Sequence, residues 1–312
     1  MKKITITVPA TTANLGAGFD CLGAALSLYN KFTFTLIEPK DSPEALKITV
    51  IGTEAARVTT DATNLAYQAF CAVYQVLNKP VPGVAIALEL GIPLARGLGS
   101  SATAIIGGLL GANYLAGNPL SIAAIQDLAI KLEGHPDNVV PALVGGCRLS
   151  ATKEDGNWEI CDVPWLPEII PVVVVPDFEL STAAARAVLP RTYNRGDAIF
   201  NVAHLGLFLR GLATGKPAWL ETGLQDRIHQ PYRQSLIPGY EAARQAAIAQ
   251  GAYGLVISGA GPALLALTDM SRAGVVGEAI ASTWQNLNIQ TEIHILKIDH
   301  QGATIQAHEE DI

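Results

Sequence analysis

Pro93-Leu94-Ala95-Arg96-Gly97-Leu98-Gly99-Ser100-Ser101-Ala102-Thr103 is the stretch whose reading decides the fold. The alternating run at 84–90 before it reads as a strand, and the small-residue run at 100–115 that it opens reads as a helix. Gly97 and Gly99 let the backbone approach a ligand closely and turn its N–H groups inward. A helix that begins at the two serines adds unpaired N–H groups and a positive dipole end, which together make an anion site. Adjacent hydroxyls suit a phosphate and Mg²⁺, a hard cation that prefers oxygen ligands. On these residues alone, an ordinary strand-to-helix turn with serine N-caps stays open. Gly97-x-Gly99-x-x-Ala102 also meets the relaxed dinucleotide fingerprint. No acidic residue ends a following strand at the spacing that motif needs, because 121–132 reads as helix. The P-loop pattern GxxxxGK[ST] does not occur in the chain.

Outward from this loop, period-two alternation predicts strands at 4–8, 32–36 and 47–51, and helical spacing predicts helices at 64–77 and 121–132. A strand buried on both faces is expected at 169–175, with Pro171 tolerable because it lies near the start. Helices at 181–189, 198–212 and 241–250 follow. The chain then reads strand (254–258), Gly/Pro turn, strand (263–267), helix (271–284) and strand (291–297). This order is no steady βαβα alternation, so a mixed α+β architecture is expected. The segment 153–167, with its charges, two prolines and two tryptophans, is the expected boundary between domains 1–155 and 156–312.

The bulk numbers exclude several function classes. Of 312 residues, 49% are apolar and 16% charged, which is material for a large core and two domains. The formal charge is −7 with no Lys/Arg run, so no nucleic-acid partner is expected. Cys21, Cys71, Cys147 and Cys161 are too scattered for a zinc site or disulfide frame. No signal peptide or apolar run of membrane-spanning length is present, so no membrane partner and a cytoplasmic address are expected. Only the tail His308-Glu309-Glu310-Asp311 has the composition of a disordered segment.

Four further constellations carry polar groups that chemistry can use. Ser258-Gly259-Ala260-Gly261-Pro262 is either a loop that covers a ligand or a plain hairpin turn. Pro9-Ala10-Thr11-Thr12-Ala13-Asn14-Leu15-Gly16-Ala17-Gly18-Phe19-Asp20 sets Asn14 and Asp20 in a glycine-rich turn, where such residues also serve local hydrogen bonds. Glu133-Gly134-His135-Pro136-Asp137-Asn138 concentrates polar groups between two helices without zinc-ligand spacing. Thr182 and Arg186 share a helix face, and Arg227 and Arg233 follow later. Arginine is the natural bidentate partner of a carboxylate or phosphate, although most arginines are solvated surface groups.

Taken together, these motifs resemble the GHMP kinases, in order and over nearly the whole chain. Residues 93–103 resemble that superfamily's phosphate loop, 258–262 its C-terminal glycine motif and 9–20 its N-terminal substrate motif. Within the superfamily, 10–20, His135-Pro136-Asp137-Asn138-Val139-Val140-Pro141, Gln230-Pro231-Tyr232-Arg233 and Leu236-Ile237-Pro238-Gly239 are similar to the homoserine kinases. The resemblance implies two α+β lobes, ribosomal S5-like then ferredoxin-like, with ATP and substrate in the cleft. It implies Mg·ATP-dependent phosphorylation of L-homoserine, in threonine biosynthesis, by a homodimer. It places Mg²⁺ on Ser101, or its neighbour Ser100, and Glu133, and the nucleotide on Asn64, 93–103 and Gly259. Arg186 and Arg233, with Thr182 nearby, would hold the substrate carboxylate. Asn14, Asp20, His135 and Asn138 would surround its amino group and attacking hydroxyl. Asn138 stands where related kinases carry a catalytic aspartate. Asparagine cannot take a proton, so the expectation is that no side chain is essential for proton removal, with Asp20 and Asp137 as alternative bases.

Three other readings compete. A kinase for mevalonate or shikimate has no use for a carboxylate such as Asp20 beside Arg186 and Arg233, whereas a zwitterion needs both signs. A ligand sensor without turnover has less need of the serine pair and Glu133. A dinucleotide oxidoreductase lacks its acidic residue.

Overall fold

Alternating burial along β1 (Lys3–Ala13) turns Ile4, Ile6 and Val8 into the core. β1 pairs antiparallel with the long β2 (Leu22–Leu36), and the register shifts between Pro9 and Ala10. β3 (Leu46–Ile51), α1 (Leu65–Val76) and β4 (Val84–Glu89) form a parallel crossover that adds β4 beside β2. α2 (Ser100–Leu115), α3 (Ile122–Glu133) and α4 (Pro136–Val144) follow, then the hairpin of β5 (Cys147–Thr152) and β6 (Trp158–Val163). The second half comprises β7 (Ile170–Pro176), α5 (Thr182–Ala187), α6 (Arg195–Thr214), α7 (Pro217–Gly223), α8 (Gln230–Arg233) and α9 (Tyr240–Ala249). It continues through β8 (Gly254–Ile257), β9 (Leu264–Thr268), α10 (Ala273–Gln285), β10 (Thr291–Ile295) and β11 (Thr304–His308). The computed structural model describes residues 2–37 and 46–308, so Glu309, Glu310 and Asp311 of the expected tail lie outside the described residues.

These elements form a mixed α+β molecule of two lobes. The first lobe is a seven-stranded sheet in the order β11-β1-β2-β4-β3, with β5 attached to β2 and β6 to β5. α1 and α2 cover it, and Phe32, Phe34, Phe70, Ile105 and Leu109 fill the layer between. The small residues of α2 have a reason in packing: a Cβ on Gly107 or Gly111 would fall 2.5 Å from the ring of Phe32 or Phe34. The second lobe is a four-stranded antiparallel sheet, order β10-β7-β9-β8, backed by α9 and α10. Its path β7-α9-β8-β9-α10-β10, with helices α5–α8 inserted after β7, is the ferredoxin-like arrangement. β7 lies between β9 and β10 and is buried along its whole length, as the apolar run requires.

The lobes meet in a shared apolar layer that joins Ala10, Leu15, Leu22 and Leu26 to Phe208, Leu212, Leu220, Val173 and Leu265. The division expected at 155/156 falls in the turn of the β5–β6 hairpin, inside the first sheet. The charged segment at 153–167 is therefore in part a strand, with Trp158 and Val163 turned inward. β1 and β2 are longer than their alternation showed, because past Val8 and from Leu22 to Leu26 they run through the protein interior and lose the polar-out residues that mark a half-buried strand. Among the described residues, no helix is long and apolar enough to cross a membrane.

Candidate active site

Three helices begin at one cavity. Its volume is about 330 Å³, and its lining includes Ser100 and Ser101 of α2, Asp137 and Asn138 of α4, and Thr182 and Arg186 of α5. Helix starts carry unpaired N–H groups and positive dipole ends, so their convergence favours anions. α1 and α3 are capped by Asn64 and Ser121, but α2 has Gly99 at its N-cap and no side chain on its first N–H groups. The first backbone bond there runs from Thr103 N–H to Gly99 O at 3.0 Å, which leaves the N–H groups of Ser100, Ser101 and Ala102 ahead of it.

The loop before α2 is held from several sides. Thr11 N–H donates to Leu98 O, Ala263 N–H to Arg96 O and the Ser258 hydroxyl to Gly97 O at 2.7 Å. Left-handed backbone at Ala95 (φ 54°), Gly97 (80°) and Gly99 (68°) folds the turn, and a Cβ on Gly99 would meet Thr11 Oγ1 at 2.0 Å. Gly97, Gly99, Ala95, Ser100 and Ser101 face the cavity. Arg96 also touches it, yet its guanidinium is anchored on the carbonyls of Pro176, Asp177 and Leu94 and ties the loop to the second lobe. Leu98 and Ala102 are core residues, and buried Thr103 accepts from Asn30 Nδ2. Pro93 lines a neighbouring cavity instead.

A second cavity of about 300 Å³ adjoins the first and shares Ala95, Ser100 and Ser101 with it. Its apolar wall includes Phe32, Leu65, Leu88 and Leu94, with Arg57, Thr59, Thr63 and Asn64 at its polar side. The Asn64 side chain is consumed locally: Oδ1 accepts from Ala66 and Tyr67 N–H, and Nδ2 donates to Thr59 O. Asn64 thus shapes this cavity as the cap of α1.

At the pair expected to hold the metal, the Ser101 hydroxyl donates to Glu133 Oε2 at 3.1 Å. Burial pushes the Glu133 carboxyl above its ordinary range, against the lowering pull of His135 and of the Ser101 hydroxyl. Among the described residues, no cluster of three or more His, Cys, Asp or Glu side chains forms a metal site. A hydroxyl and a carboxylate fit Mg²⁺, which typically takes one or two protein oxygens and completes its shell with phosphates and water.

Next to it, His135 Nδ1 lies 2.6 Å from Asp137 Oδ1. Burial alone depresses the imidazole pKa, but the hydrogen bond and charge of Asp137, with Glu133 behind it, leave it raised. Asn138 is fixed at both ends, accepting from the Thr11 hydroxyl at 2.7 Å and donating to Asp137 Oδ1 at 3.3 Å. Thr11 and Asp137 are thus parts of the site beyond the residues picked from the sequence. From the sequence Asp137 was read as a helix-start acid and an alternative base, and Thr11 only as part of the 9–20 motif; the Thr11–Asn138 contact joins positions too far apart in sequence for either to announce it.

The opposite wall carries both charge signs. Arg186 donates from Nη1 and Nη2 to the two oxygens of Asp20, at 3.0 and 2.8 Å, which raises the guanidinium pKa further. Arg233 is 2% exposed, and donates from Nε to Ala185 O and from Nη1 to Gly259 O. Burial and the Arg186 charge lower its pKa. Both guanidinium groups lie over Phe19, at 5.8 and 5.1 Å from the ring centre. Asn14 bridges the walls, with Oδ1 accepting from Asp20 N–H and Nδ2 donating to Gly259 O. Asn14, Leu15, Gly16 and Asp20 all have positive φ, a concentration of strained backbone of the kind that functional loops retain. Arg227 lies away from this cavity, over Phe200 and beside Asp197.

Known proteins match this chain throughout. Residues 64–146 match the family described as GHMP kinases N terminal domain, and 208–286 match GHMP kinases C terminal. A homoserine kinase from Trichormus variabilis is 60% identical over 97% of this chain and 99% of its own length. One from Crocosphaera subtropica is 59% identical over 99% of each. The crystal structure of homoserine kinase from Cytophaga hutchinsonii superposes with a TM-score of 0.87 at 29% identity, covering 97% of both chains. L. major mevalonate kinase, at 15% identity and a TM-score of 0.70, shares the fold, over 94% of each chain.

Proposed function

Because the chain belongs to the homoserine kinases of the GHMP family, we propose that it moves the γ-phosphoryl group of ATP onto the side-chain hydroxyl of L-homoserine, giving O-phospho-L-homoserine for threonine biosynthesis. The observation that carries this is the junction at Ser100 and Ser101. On one side is a half-apolar cavity fit for a nucleoside, on the other a pocket with a carboxylate and two guanidinium groups fit for an amino acid. A zwitterion satisfies both signs, with its ammonium at Asp20 and its carboxylate at Arg186 and Arg233. The Asp20–Arg186 ion pair is then exchanged for contacts to the ligand, so neither charge is left bare.

The α2 N-terminus and the loop N–H groups hold the transferred phosphate, and Ser101 with Glu133 holds the Mg²⁺ that accompanies it. Bound there, Mg²⁺ neutralises the charge of the phosphates. Asn138, clamped by Thr11 and Asp137, keeps the acceptor hydroxyl in line while having no means of taking its proton. Asp137 is already engaged by His135 and Asn138, and in the bound complex Asp20 faces the substrate ammonium in place of Arg186. The acceptor hydroxyl's proton therefore passes to an oxygen of the transferred γ-phosphoryl group as the bond to ADP breaks, and the rate derives from positioning and charge stabilisation of a loose transition state.

An ADP-release assay with Mg·ATP decides the reading, comparing L-homoserine with D-homoserine, L-serine, shikimate and mevalonate. Turnover confined to L-homoserine is expected. Arg186→Ala should raise the KM for L-homoserine about tenfold, the order expected for losing a charge-assisted hydrogen bond from a guanidinium that is more than a third exposed. Turnover with mevalonate or shikimate alone would overturn the substrate assignment.

A further inference from the structure

Arg233 is the most deeply buried charge of the acceptor pocket, and among the described residues no carboxylate forms an ion pair with it. Its neighbour is His229, fully buried at the entrance to α8. The backbone places this ring firmly: Asp226 accepts from the N–H groups of Ile228, His229 and Gln230 at 3.0, 2.9 and 2.7 Å. Phe19 stacks on the imidazole at 5.1 Å between ring centres.

The two ring nitrogens face groups that cannot change roles. His229 Nε2 lies 2.9 Å from Gly16 O, and a carbonyl only accepts, so Nε2 carries a hydrogen. Nδ1 lies 3.4 Å from Arg233 Nη1, and a guanidinium only donates, so Nδ1 offers its lone pair. Both contacts demand the same neutral tautomer. Burial, and after it the Arg233 charge, disfavour a second proton against the pull of Asp226, whose Oδ2 is 3.7 Å from Nε2. Nη1 of Arg233 is thereby shared between His229 and Gly259 O, and among the described residues no hydrogen bond engages Nη2.

We propose that His229, as the fixed Nε2–H tautomer, is a positioning residue that orients Arg233 toward the carboxylate of the phosphoryl acceptor. The proposal rests on reading Arg233 as that carboxylate's anchor. His229 touches no substrate, so its effect reaches the reaction only through Arg233.

Two substitutions separate its contacts. In His229→Asn the amide oxygen stands near the place of Nδ1 and keeps an acceptor for Arg233. In His229→Gln the amide reaches toward Gly16 and leaves Arg233 without one. His229→Gln should raise the KM for L-homoserine about tenfold, the worth of one charge-assisted hydrogen bond, with kcat and the KM for Mg·ATP nearly unchanged. His229→Asn should restore most of that loss, and in an Arg233→Lys background His229→Gln should add nothing further. Equal rises in both KM values, or additivity with Arg233→Lys, would overturn the proposal. Histidine-selective ¹⁵N NMR of the unliganded protein reads the tautomer without any substrate. Nε2–H with a bare Nδ1 is expected, and an Nδ1–H or doubly protonated His229 overturns the proposal. Failure of the unsubstituted enzyme to use L-homoserine would count against the substrate reading, while the NMR spectrum still decides the tautomer.

Discussion

Glu133 shows how one side chain's surroundings set its working range. Burial raises its pKa, so the protonated form survives to a higher pH than for an ordinary carboxylate. In the proposed metal role a proton and Mg²⁺ compete for the same oxygens, so cation binding would be lost as pH falls through that raised value. The KM for Mg·ATP, followed across roughly pH 5–8, should rise toward the acid end. Glu133→Gln should flatten this dependence and lower kcat by about a hundredfold or more, the scale seen on removing one stabilising electrostatic group. A Glu133→Gln enzyme that kept the acid limb would assign it elsewhere, with His135 the first suspect because its own pKa is raised.

Among the elements, α2 and the loop before it set the tolerance of the site to change. Gly99→Ala must place a methyl group 2.0 Å from the Thr11 hydroxyl and 3.2 Å from Asn138 Oδ1, in a left-handed conformation that disfavours any Cβ. The expected outcome is a folded protein that melts a few degrees lower and has lost most of its turnover, checked by thermal unfolding and the ADP assay together. Unaltered kcat would mean that the Thr11–Asn138 contact is dispensable. This loop is also where the sequence was most legible, although its glycines and serines alone fit an ordinary strand-to-helix turn; the resemblance of 93–103 to the phosphate loop, together with the other motifs in order, decided it. β7 was legible for a similar reason, because an unbroken apolar run fits a strand covered on both faces. β11 was not: all five of its residues are exposed, and it exists by pairing with β1, so no local pattern announces it. The Thr11–Asn138 and Asn14–Gly259 contacts were hidden likewise, because they join residues 127 and 245 positions apart.

For the whole molecule, the cleft is bridged by charge as well as by the apolar layer. Arg57, at the edge of the second cavity, pairs with Glu179 of the second lobe at 2.7 Å. Arg96 lies 3.5 Å from Glu179 and 3.8 Å from Glu54, whose carboxylate accepts the Leu94 N–H. Arg57 and Glu179 are 37% and 48% exposed, so the pair is worth about 0.2–1 kcal/mol, not several. Glu179→Gln should therefore raise the KM for Mg·ATP by only about two- to fivefold, and less at high salt, where screening already weakens the pair. Exchanging the charges with Arg57→Glu and Glu179→Arg together should recover part of the loss. A larger effect that ignored salt would point to a packing role for these side chains.

The pairing of β11 with β1 makes the second lobe a passenger: the chain leaves the first sheet after Val163, touches it again where Ile298 bridges Leu26, and rejoins it in full at Thr304. The lobes are therefore not successive halves of a gene but a host and its insert. Swapping the back half of this enzyme for that of a relative would carry off an edge strand of the front lobe, and would cut across the shared apolar layer as well. A working chimaera needs two seams, one in 164–169 and one near Leu296, before the residues that bond to Ala25 and Ser27, with everything between them exchanged as a block.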